Sequence, residues 1–176
     1  REFKRGPGIQ PYAYEANVDG VHVELVVGFY RELARDPEIE MEMRGIPRRR
    51  ENAGWTVICN DRVGLHRDKT PITGWGVKPV PKFHPQFISI AGVVRFTSNE
   101  SHKLPLNTTK RGLDTNVPIY WKTLEYMQEG LKKFTDFTNR WKGRETEAAV
   151  RFRGLETVDA TEVPSAIPEG MWRSVR

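Results

Sequence analysis

The sequence predicts an α+β fold, about four strands packed by one long C-terminal helix. Three observations carry this. Residues 21–30 and 87–97 are apolar, β-branched runs of strand length. Residues 54–60 alternate strictly, with Trp55, Val57 and Cys59 on one face. Residues 118–142 switch to helical spacing, with Tyr120, Leu124, Met127, Leu131, Phe134 and Trp141 making one apolar stripe.

Residues 1–20 carry Gly6, Pro7, Gly8, Pro11 and Gly20 and predict an irregular lead-in with at most one edge strand. In the first firm strand, Val21, Val23, Leu25 and Val27 share a face. The partly apolar opposite face, with Val26 and Gly28, predicts cover on both sides for part of its length. Residues 31–53 are charge-dense and broken by Pro37 and Pro47, so they read as a long loop insertion. After the strand at 54–60, Asn60-Asp61-Arg62 is a turn and residues 63–66 return as a hairpin arm. Residues 67–86 are rich in Gly and Pro and form a second insertion. Gly92, inside the strand at 87–97, predicts a bulge or a close backbone approach. Thr115 or Asn116 is placed to cap the long helix, Pro118 suits its first turn, and Gly143 stops it. The domain so defined covers 21–143, and 144–176 is an extension.

Composition bounds the function. The 176 residues are enough for one domain, and a chain of this size buries roughly 70% of its unfolded surface without disulfides. One cysteine allows no internal disulfide and points to a reducing, cytoplasmic setting. No apolar run approaches the roughly 20 residues of a membrane span. The net charge of +5 admits nucleic acid without demanding it. His22, His66, His84 and His102 show no metal-ligand spacing along the chain, so no metal site is expected. Cys59 reads as a packed core thiol. Trp55, Trp121 and Trp141 sit at apolar-periodic positions and read as core. Trp75 and Trp172 lie in irregular stretches and read as interface residues.

Between the last strand and the helix lies a polar loop, Pro-Leu-Asn-Thr-Thr-Lys-Arg-Gly-Leu-Asp, at 105–114. A lysine at the end of a flexible stem suits a terminal phosphate, and Asn107, Thr108 and Thr109 offer groups to brace Lys110. On spacing alone the better reading is one solvated loop lysine among many. Arg95 and Arg111 are further phosphate candidates.

The order hairpin with Asn60-Asp61-Arg62-Val63 turn, Gly74-Trp75-Gly76 connection, strand, Asn107-Thr108-Thr109-Lys110 loop and long helix resembles the transducer domain of GHKL ATPases. That superfamily includes gyrase B, the ninety-kilodalton heat-shock chaperone, histidine kinases and MutL, and the hairpin turn is similar to that of MORC proteins. The resemblance covers roughly residues 18–142. It implies a ribosomal-protein-S-five-like fold with a mixed sheet and a left-handed βαβ crossover. It implies that Lys110, with Thr109, Thr108 and Asn107, reaches the γ-phosphate of ATP and Mg held mainly by an upstream nucleotide-binding domain. It also implies a dimeric parent in which the C-terminal half of the helix (Phe134, Phe137, Trp141) acts as a lever. The Asp-x-Gly-x-Gly loop and the glycine-rich lid of the superfamily are absent here. The chain, which begins at Arg1, is therefore expected to be a piece of a longer ATPase that binds ATP poorly alone. The alternative is a nucleic-acid-binding domain, with Arg48–Arg50, Lys69, Lys78, Lys82, Lys132 and Lys133 as its footprint.

Overall fold

The computed structural model describes residues 2–46, 51–109, 112–163 and 172–175. It is α+β, with a mixed main sheet, a two-stranded ribbon and three helices. The strands are β1 (Glu2–Arg5), β2 (Tyr12–Val18), β3 (Val21–Phe29), β4 (Gly54–Cys59), β5 (Arg62–Asp68), β6 (Ile90–Thr97), β7 (Glu156–Asp159) and β8 (Trp172–Val175). The helices are α1 (Asp36–Met43), α2 (Pro118–Arg140) and α3 (Glu145–Arg153).

The main sheet runs β5-β4-β6-β3-β2-β8, six strands where sequence periodicity counted about four. The two extra strands are short or polar on one face. β2 alternates half-buried and buried positions around Glu15 and Asn17, and its apolar signal is diluted by the Gly and Pro residues before it. The stretch 1–20 thus supplies two strands rather than an irregular lead-in. β2 joins β3 through a tight turn in which Asp19 and Gly20 both take positive φ, 51° and 81°. That is the two-residue geometry that matches strand twist.

β3 is antiparallel to β2 and β6, β4 is parallel to β6, and β8 is parallel to β2. It follows that β6 and β8 point the same way, and the chain between them passes through α2. One sheet face packs under α2. Val23, Leu25, Val27, Trp55, Val57, Val94 and Phe96 meet Tyr120, Met127, Leu131 and Phe134 there, all buried. Phe29 anchors both later helices, with ring centroids 5.0 Å from Phe134, 5.3 Å from Phe137 and 5.6 Å from Phe152 of α3. The other face is half covered. The β1–β7 ribbon lays Phe3, Val158 and Val163 over Ala13, Val26 and Ala91. The two-sided cover expected for part of β3 is therefore present, at one end of the strand.

Several local expectations changed. Residues 31–53 hold α1, because Pro37 occupies its first turn, where a missing N–H costs nothing, rather than interrupting a helix. Arg31 grips Glu38 with two hydrogen bonds, of 2.5 and 3.0 Å. Neither Thr115 nor Asn116 caps α2. Val117 takes the N-cap position, and Asp114 accepts from the Asn116 N–H at 3.0 Å one turn earlier. Trp75 is buried, edge-on to Phe83, so it is no interface residue. Trp121 is 49% exposed on the outer side of α2. Gly92 marks a close approach, since a Cβ there would lie 2.5 Å from the Trp55 ring.

Candidate functional site

The loop at 105–114 is clipped at its base. Leu106 and Leu113 form an isolated antiparallel bridge. The Asn107 N–H donates to the Gly112 carbonyl at 3.1 Å, and the Asp114 N–H to the Pro105 carbonyl at 3.1 Å. Both leucines pack toward the edge strand β5, where Gly64 leaves room. A Cβ at 64 would meet Leu113 at 2.9 Å and Leu106 at 3.7 Å. These contacts tie the loop to the sheet edge on the side that carries α2. Asn107 is half-buried, with its Oδ1 accepting from the Thr109 hydroxyl at 2.9 Å, while Thr108 and Thr109 are exposed. Lys110 and Arg111 fall outside the described residues, as do Arg48–Arg50. The preceding Lys103 is engaged. Its amine lies 2.8 Å from Glu100, whose carboxylate raises the lysine pKa.

The hairpin beside the loop is pinned by its turn residue. Asn60 has φ 51°. Its Oδ1 accepts from the Ser98 N–H at 3.0 Å, and its Nδ2 donates to the Ser98 carbonyl at 3.1 Å. The Ser98 hydroxyl donates to the Gly20 carbonyl at 2.8 Å. One serine thereby joins the β2–β3 turn, the β4–β5 turn and the end of β6. Asn tolerates the left-handed conformation better than other non-glycine residues and brings both a donor and an acceptor.

Arg95 does not join the loop. Its neighbours Val94 and Phe96 face α2, so Arg95 points to the opposite, open half of the sheet. It lines there a shallow cleft of about 650 Å³ with Ile58, Asn60, Val63, Thr97 and Ser98. The lysines of the nucleic-acid footprint are partly neutralised. Lys69 sits 3.0 Å from Glu51, and Lys132 pairs with Asp136. Burial lowers the pKa of Lys133.

The same open half-face holds a group that chain spacing did not reveal. Glu15 stands directly across from Glu24, and Asn17 across from His22. Positions 15, 17, 22 and 24 share one face because strand side chains alternate. The signal was present as paired period-two polar positions on either side of a two-residue turn. It needs the hairpin register to be read. Among the described residues no helix is long and apolar enough to cross a membrane.

No protein-family model matches the chain, and no curated protein matches its sequence.

Proposed function

We propose that this domain is the transducer module of a GHKL-type ATPase. Its loop at 105–114 delivers Lys110 to the γ-phosphate of ATP and Mg held by an upstream nucleotide-binding domain. In this reading the sheet is the ribosomal-protein-S-five-like sheet, and the passage from β6 through α2 to β8 is its left-handed crossover. The observation that carries the proposal is the clipped loop. The Leu106–Leu113 bridge fixes both ends against β5, leaves Thr108 and Thr109 outside, and leads directly into α2. The clip fixes the described ends of the loop, which lowers the ordering entropy that a phosphate contact from it would cost. α2 then carries the loop's position to whatever packs on its far end. Phe134 and Phe137 clamp that end to Phe29. The parent protein is expected to act as a dimer.

A charge-assisted lysine–phosphate contact contributes about 1.5–3 kcal/mol, which corresponds to roughly 10- to 150-fold. In the parent protein with its nucleotide-binding domain, Lys110→Ala should lower steady-state ATP turnover by that factor, with an unchanged circular dichroism spectrum. Turnover within twofold of the parent would remove the role assigned to Lys110.

A further inference from the structure

We infer that Glu15, His22 and Glu24 form a tetrahedral site for a divalent cation of the zinc class on the open face of the β2–β3 hairpin. This does not depend on the transducer reading. One ligand atom from each residue lies within 4.8 Å of the others. His22 Nε2 stands 3.2 Å from a Glu15 oxygen and 3.5 Å from a Glu24 oxygen. Two ligands on a tetrahedral zinc, with bonds near 2.0–2.1 Å, are separated by about 3.4 Å. The same bonds in an octahedron would bring them to about 2.9 Å. These two separations straddle the tetrahedral value, so His22 stands from each carboxylate as it would around a bound zinc. An N,O,O donor set also suits zinc better than magnesium, which prefers oxygen and retains its water.

The second layer supports this. Asn17 Oδ1 lies 2.6 Å from His22 Nδ1. An amide oxygen only accepts, so Nδ1 is the donor in this bond and Nε2 is the ring nitrogen that faces the two carboxylates. A partner that fixes the remote ring nitrogen is the usual support for a histidine ligand. All four residues are on paired strands next to a two-residue turn, so the donors need little reorganisation. The side chains of Glu15, His22 and Glu24 are 30–40% exposed, which leaves an approach from solvent and room for water as the remaining ligand. Arg95 stands across from Glu24 on β6 and places a positive charge on the same sheet face. The site is accordingly expected to be weaker than a structural zinc site with four protein ligands.

The test is calorimetric titration of the chelator-treated chain with Zn²⁺ alone, followed by Co²⁺ and its visible absorption. The expected result is one saturable equivalent of Zn²⁺ and a Co²⁺ spectrum of four-coordinate intensity. Glu24→Gln keeps the side-chain shape and should weaken Zn²⁺ at least tenfold, as should His22→Ala. Asn17→Ala should weaken it about tenfold through the ring orientation, and His102→Ala should have no effect. Absence of saturable Zn²⁺ uptake by the unaltered chain overturns the site. Uptake that Glu24→Gln and His22→Ala leave unchanged overturns it as well.

Discussion

Two glycines show how local space decides the sign of one methyl group. Gly130 lies within α2, where alanine would ordinarily be better by about 1 kcal/mol. A Cβ there would meet Val27 Cγ1 at 2.3 Å and the Tyr12 ring at 3.0 Å. Val27 is buried and β-branched on the central strand, so it has no rotamer to retreat into. Gly130→Ala is therefore expected to destabilise by about 1–3 kcal/mol, the cost of overpacking. Gly154 follows α3 with φ −94° and nothing within 4 Å of a Cβ. Gly154→Ala should stabilise by about 0.4–1 kcal/mol by restricting the unfolded chain. Urea midpoints of the two variants should move in opposite directions, and a shared direction would refute the contrast.

At the scale of elements, α2 separates what sequence pattern reveals from what it hides. Its apolar stripe was legible, and Tyr120, Met127, Leu131 and Phe134 are buried as the period requires. Trp121 reads as core from an apolar-periodic position, yet it lies one position off the buried face and is half exposed. Phe134→Ala should cost about 3–5 kcal/mol, because it opens a hole beside Phe29. Trp121→Ala should stay within about 0.5 kcal/mol of the parent. Denaturant unfolding of both variants measures the difference, and equal losses would place Trp121 in the core after all. Strands were legible where a long run of buried β-branched and aromatic residues fills one face, as in β3 and β6. They were hidden where one face is polar and a Gly- or Pro-rich stretch adjoins, as in β2. The hairpin turn was legible because Asn60 offers few alternatives at its left-handed φ. The Glu15–His22–Glu24 group was not, since its members are neighbours only through cross-strand register, which no single segment specifies. Of the loop at 105–114, residue types were legible and the Leu106–Leu113 clip was not. A one-pair bridge has no periodicity.

For the whole molecule, the sheet interior links folding to alkaline pH through Cys59. Its thiol sits on β4 facing α2, 1% exposed, and burial pushes its pKa from 9.0 up to about 12. In the unfolded chain the thiol ionises near its ordinary value. Between pH 9 and 12 the folded state thus binds more protons than the unfolded state, and stability falls as pH rises through that window. Below pH 9 the contribution is complete. From pH 8 to pH 10 the loss attributable to this thiol is about 1 kcal/mol. Tyr120, also raised by burial, pulls in the same direction, so the raw pH profile does not isolate the cysteine. Cys59→Ala does. It lowers stability at both pH values by opening a small cavity, but it should lose about 1 kcal/mol less than the parent between pH 8 and 10 in paired urea titrations. Parallel losses in the two proteins would mean that the thiol already meets solvent in the folded state. β4, held between the hairpin edge and β6, would then not belong to the cooperative core.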